Sequence, residues 1–130
     1  MAAPHLATGA YGEKLAVREL RDAGLQILAT NYRVEGLGEI DIIALDGCTL
    51  CFVEVKTRQK SERSRPGDAI GGEKRQRVTR TARHWLARAG IPAALIRFDS
   101  VEVRLGKAFW QHQVLHSPAS WDQLGIANSR

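Results

Sequence analysis

The chain is poor in sulfur and in rings. Of its 130 residues two are Cys and one is Met, and three Trp, two Tyr and three Phe complete the aromatics. Two thiols, Cys48 and Cys51, cannot build a disulfide framework. A zinc site needs two further ligands at the right spacing, and a redox pair needs a helix N-terminus, whereas this pair sits at a turn leading into a strand. Proline is scarce at four residues, which excludes a proline-rich linker protein. No apolar run approaches the 18 residues of a membrane span, and residues 1–12 lack the cationic start and apolar stretch of a secretory signal. These absences predict a cytoplasmic protein with reduced thiols and no membrane contact.

What is present is ordinary in bulk and uneven in placement. The apolar share is 44% and the charged share 25%, as in globular domains. The 19 basic residues outnumber 14 acidic ones, for a net charge of +5. Such a chain meets polyanions. Fourteen of the cations are Arg, whose planar fork matches phosphate oxygens two at a time.

Spacing predicts one α/β domain at 11–116, with a flexible arm at 1–10 and a tail at 117–130. Leu15, Ala16, Leu20 and Ala23 mark a helix from Tyr11 that Gly24 stops. Strand-like runs follow at 25–34, 39–45 and 50–57, with Asp46–Gly47 as a hairpin signal between the last two. A cationic loop at 58–67 leads to a helix over 73–89, stopped by Gly90. Further strands are expected at 94–103 and 109–115, and one turn near 120–124. The order α-β-β-β-α-β implies a small mixed sheet with helices on both faces.

Charges stand where apolar residues belong. Asp41 shares a strand face with Ile43 and Leu45, and Glu54 and Lys56 share one with Leu50 and Phe52. The other face of the 50–57 strand is Cys51, Val53 and Val55, so this is a central strand with two ionisable groups at one end. With a bend at Asp46–Gly47, Asp41 and Glu54 fall near one another across the hairpin. Opposed Cβ atoms lie about 4.5–5.5 Å apart, and two carboxylates at 4 Å repel by about 4 kcal/mol at an effective dielectric near 20. A divalent cation removes that repulsion, and hard oxygen ligands with room for water suit Mg²⁺, or Mn²⁺. Such a cation acidifies its water and binds a phosphodiester oxygen. Lys56 could position that water or offset developing charge. Glu13, heading the series Glu13, Val17, Leu20, is either a third acid for the metal or a carboxylate favoured by the helix dipole. The bland alternative for Asp41, Glu54 and Lys56 is a structural salt-bridge cluster.

G-E-I-D at 38–41 followed by F-V-E-V-K-T at 52–57 resembles the D…(E)xK signature of restriction-endonuclease-like nucleases. Together with Gly12–Glu13, L-A-T-N-Y-R at 28–33, Lys74 in a basic helix and R-F-D at 97–99, it resembles the YraN-like family, small bacterial predicted nucleases similar to archaeal Holliday junction resolvases. The resemblance spans residues 10–100. It implies a restriction-endonuclease-like three-layer core and a metal-dependent DNA endonuclease acting on branched or repair intermediates. Asp41, Glu54 and the Val55 carbonyl would be metal ligands, Lys56 the catalytic lysine and Glu13 an acid acting through water. Resolvases work as two-fold dimers, and a homodimer would suit a symmetric junction, although the sequence shows no dimer surface. The related RecB-like nucleases follow the lysine with Q-x-x-x-Y; here Arg80 follows Gln76 at that spacing, and Gln76 is left out of the site.

Residues 56–88 carry eleven cations against three acids. Along the helix Lys74, Arg77, Thr81, His84 and Arg88 form a ridge flanked by Arg80 and Arg83. With Arg58 and Arg75 this stretch is the candidate DNA contact, reading phosphates and shape rather than bases. The other readings are a non-catalytic nucleic-acid-binding module and a protein-interaction subunit. Trp85 is assigned to the core and Asp99 to an Arg partner. His84, His112 and His116 are assigned to the surface, and Trp110 and Trp121 either pack the tail or form an exposed patch.

Overall fold

Leu15, Ala16 and Leu20 recur on one side of the first helix, and in the computed structural model that side closes over a sheet. The structure describes residues 6–59, 71–91, 95–108 and 110–121. The elements are α1 (Leu6–Asp22), β1 (Gln26–Val34), β2 (Gly38–Asp46), β3 (Thr49–Gln59), α2 (Gly72–Ala89), β4 (Leu95–Leu105) and β5 (His112–Trp121). The five strands lie in sequence order in one sheet. All neighbours are antiparallel except β3 and β4, which run parallel from Thr49↔Leu95 to Gln59↔Leu105. A parallel neighbour needs a crossover, and α2 lies in it.

The sheet has two apolar faces, and each helix covers one. Leu15, Ala16 and Leu20 of α1 pack with Ile42, Ala44, Cys51, Val53, Val101 and Val103. Val78 and Ala82 of α2 pack with Ile40, Ile43, Leu50, Phe52, Phe98 and Trp121 on the other face. The result is three layers, as the order of elements implied. Two glycines set the helix–sheet distance. A Cβ at Gly12 would lie 1.9 Å from the Thr57 hydroxyl oxygen on β3. One at Gly38 (φ 153°) would lie 3.0 Å from the Thr81 hydroxyl oxygen on α2.

Several boundaries differ from the spacing. Residues 6–10, expected in a flexible arm, belong to α1. Leu6 is the one large apolar residue in this stretch, so periodicity could not find it. The hairpin bend falls at Gly47 (φ 62°) and Cys48, between the paired Asp46 and Thr49. Residues 58–59 extend β3; the rest of the cationic loop, 60–67, lies outside the described residues. The fifth strand runs to Trp121, so 117–121 are strand rather than tail. Pro118 hid this extension, but it stands on an edge strand, where a missing N–H is tolerated. Residues 122–124 of the expected turn lie outside the described residues.

Candidate metal and nucleic-acid site

The β2–β3 ladder ends at Ile42↔Val53. Asp41 and Glu54 would form the next pair, and there the strands part. Alternation breaks at the same place: Ile40 and Ile43 both pack toward α2 while Ile42 packs toward α1. Opposite, on β1, Asn31 adopts a left-handed φ of 52°, a conformation Asn tolerates better than most residues. Asp41 therefore sits at a seam rather than on a regular face. Its Oδ2 accepts a 2.8 Å hydrogen bond from the Val55 N–H, taking the place of a ladder bond.

Burial pushes the Asp41 carboxyl up to about 7, with the Glu54 charge the next cause and Glu13 and Glu39 adding smaller repulsions; the Val55 N–H opposes them. Asp41 and Glu54 are thus brought together, as the hairpin geometry demanded. Glu13 is a weaker neighbour. It is half-buried on α1 and lines an open hollow of about 540 Å³ with Lys14, Arg18, Arg21, Thr30 and Asn31. Among the described residues no group of three or more His, Cys, Asp or Glu side chains stands close enough to hold a metal ion. Any cation here would rest on two carboxylates, backbone oxygen and water.

Lys56 is exposed two residues beyond Glu54, in register with Glu102 of β4. Lys74, expected as a phosphate contact, reaches from α2 to the Glu54 Oε2 at 2.5 Å, with its side chain 45% exposed. Not every residue of the expected ridge faces outward. Thr81 is fully buried and donates to the Arg77 carbonyl at 2.8 Å. His84 is half-buried, its Nδ1 2.7 Å from the Tyr32 hydroxyl. Arg75 is stacked over Trp121, its guanidinium carbon 5.6 Å from the ring centroid. Arg58 is 9% exposed, 3.9 Å from Glu102. Arg77, Arg80, Arg83 and Arg88 do stand exposed on α2, with Arg77 also 3.2 Å from Glu73. Of the six expected DNA contacts, Arg77, Arg80 and Arg83 are exposed, and the Lys74 side chain is exposed to the same degree as that of Arg77.

Sequence reasoning assigned Asp99 to an Arg and missed the rest of its set. Asp99 is fully buried, held by Arg97 at 2.8 and 3.0 Å, His116 at 2.9 Å and the Ala119 N–H at 2.9 Å. Burial alone would raise its carboxyl, but these partners hold it below the usual carboxylate range. His116 is therefore a tie between β4 and β5 rather than a surface residue. Trp85 meets Phe52 edge-on at 6.1 Å and Trp121 stacks on Phe98 at 4.2 Å, so both are core. Trp110 is 68% exposed. Among the described residues no helix is long and apolar enough to cross a membrane.

Residues 12–103 match the model of the uncharacterised protein family UPF0102. They include Glu13, Asp41, Glu54, Lys56 and the whole of α2. The chain belongs to the UPF0102 family. A UPF0102 protein from Nocardia farcinica is 50% identical over 97 residues, covering 75% of this chain and 76% of that one. Another from Alkaliphilus metalliredigens is 43% identical over 99 residues, 76% and 86% of the two chains. A third from Beutenbergia cavernae is 43% identical over 109 residues, 82% and 92%. This UPF0102 chain thus shares with relatives the segment that holds both acids of the seam.

Proposed function

We propose that this UPF0102 protein is a metal-dependent DNA endonuclease of the restriction-endonuclease-like kind, acting on branched or repair intermediates. One observation carries the reading: β2 leaves β3 at the point where Asp41 faces Glu54 and accepts from the Val55 N–H. In an extended strand the N–H and C=O of one residue point to the same side, so the Val55 carbonyl is also directed at the seam. Two carboxylates under mutual repulsion plus a backbone oxygen form an all-oxygen donor set that fits Mg²⁺ or Mn²⁺. Such a cation would supply Lewis acidity toward a phosphodiester oxygen and toward water.

The chain's own groups do the rest. Asp41 and Glu54 would fix the donor geometry. Lys56, on the Glu54 face, would orient the attacking water and offset charge on the phosphorane. Water oxygen bonds to phosphorus, one P–O ester bond breaks, and a proton passes to the departing oxygen. Arg77, Arg80 and Arg83 would hold phosphates of the bound duplex. The test is incubation of linear, flapped and four-way DNA with Mg²⁺ or Mn²⁺. Cleavage by the wild type that is lost in Asp41→Asn and Lys56→Met supports the reading. No cleavage of any form with either metal overturns it.

A specific contact favours a second reading. The Lys74 ammonium already neutralises Glu54 at 2.5 Å, as it would in a module that binds nucleic acid and does not cut. That reading expects salt-sensitive DNA binding unaffected by Asp41→Asn and by chelators.

A further inference from the structure

At the far end of β3 the sheet carries a second feature that the seam does not use. The β4–β5 turn presents Trp110, 68% exposed, over an open hollow of about 470 Å³. Its lining is Gln59, Leu105, Gly106, Lys107, Gln111 and His112, with no carboxylate among them. The turn is tightly tied. The Gln111 N–H donates to the Ala108 carbonyl at 2.9 Å, the Gly106 N–H to the Gln111 carbonyl at 2.5 Å, and the Ala108 N–H to the Gln111 Oε1 at 3.1 Å. A Cβ at Gly106 would lie 2.6 Å from that of Gln111, so the turn closes only on glycine there. Gly106, Ala108 and Gln111, on either side of Trp110, are therefore tied to one another. Beside it the His112 Nδ1 is buried and finds no partner among the described residues.

We propose that Trp110 is a stacking platform for an unpaired nucleobase of single-stranded or branched DNA, with Lys107 against the adjoining phosphate. This deepens the nuclease reading and rests on it for the identity of the polymer. A large apolar ring face, one cation, amide and imidazole groups and, among the described lining residues, no acid suit a base with its phosphate. Hollows of this volume lie within the range that holds small ligands. Base–aromatic stacking tolerates any base, because every base has a π face. Five residues of β3 separate Glu54 from Gln59, about 17 Å at strand rise, or about five base-pair steps of 3.4 Å. A protein that grips an unpaired base there and duplex phosphates along α2 would favour junctions between paired and unpaired DNA over continuous duplex.

The experiment uses the full chain in EDTA, so that cutting plays no part. Binding of a single-stranded oligonucleotide, a flapped duplex and a blunt duplex is measured by anisotropy, together with quenching of tryptophan emission. Trp110→Ala should weaken the single-stranded and flapped ligands about five- to hundredfold and leave the blunt duplex unchanged. Trp110→Phe should restore most of the loss, and single strands should quench wild-type emission but not that of Trp110→Ala. Equal losses on all three ligands, or none on any, would overturn the platform. Because no metal is present, loss of cleavage in a separate assay leaves this result intact, and a negative result here leaves the cleavage reading intact.

Discussion

Two aspartates on the same sheet have opposite fates. Asp99 is wholly buried and yet ionises more easily than a free carboxyl, because Arg97, His116 and the Ala119 N–H meet it. Asp41 is pushed up to about 7, because burial disfavours its charge, Glu54, Glu13 and Glu39 add repulsion, and the Val55 N–H offsets only part of this. The contrast teaches that burial raises both acids and that the partners each one meets decide whether the rise survives. Asp99 has what it needs from its own chain and acts as a clasp between β4 and β5. Asp41 stands beside Glu54 with less compensation, and under the proposed reading an added positive charge would supply it.

The comparison can be broken most directly at Asp99. Replacing it with Ala leaves the Arg97 guanidinium without its main partner, and breaking a buried pair costs about 3–5 kcal/mol. Urea unfolding at pH 7 should register that loss, and a cost below about 1 kcal/mol would mean the clasp is ornamental. Asp41→Asn should do the reverse in metal-free buffer. A carboxyl raised in the folded state contributes its full stability below its ordinary value of 3.8 and loses it as pH rises through about 7. At pH 8 the substitution should therefore add stability, by about 2 kcal/mol at about 1.4 kcal/mol per pH unit after allowance for its partial exposure. The gain should vanish below about pH 4.

Asp99 carries the opposite sign. Its stability is present above 3.8 and lost as pH falls below that value, so Asp99→Asn should flatten the acid limb of the wild-type stability curve. Divalent cations sharpen the contrast further. Mn²⁺ at about ten times its dissociation constant should stabilise the wild type at pH 8 by about 1.4 kcal/mol. EDTA should reverse this, and Asp41→Asn should abolish it, as read by thermal melting. Lys74→Met should tighten Mn²⁺ several-fold, since the ammonium competes for Glu54 at an exposed site worth about 1 kcal/mol or less. The smallest effect belongs to the surface pair Glu73–Arg77. Breaking it should cost about 0.3–0.5 kcal/mol, and Arg77→Ala should lower the DNA salt slope by about 0.9 if that side chain holds one phosphate.

The layered fold was legible because strong local signals agreed with it. The runs at 39–45 and 50–57, the Asp-Gly bend between them and Gly90 in the left-handed region after α2 each state one element. The nearness of Asp41 and Glu54 followed from the hairpin alone. The seam itself was not legible. It depends on Asn31 and on where Ile40 and Ile42 find room, which are matters of packing across three strands. The basic residues misled for a related reason. Helical spacing says which side chains share a line, but not that Arg75 will lie on Trp121 or Lys74 on Glu54, since those partners come from elements far off in the chain. His116 was hidden in the same way: its carboxylate lies on another strand, and no periodicity links them.

The parallel ladder between β3 and β4 also orders events in time. The hairpin that bears both acids is complete once Gln59 is synthesised, whereas its other neighbour must wait until α2 and then β4 have been made. At 5–20 residues per second that delay is about 2–10 s. During it one flank of β3 stands bare, and Lys74, which pairs with Glu54, is made only about 1–3 s into the interval. If the seam takes a cation as proposed, an ion present during the first seconds of that interval would meet the two acids before Lys74 does.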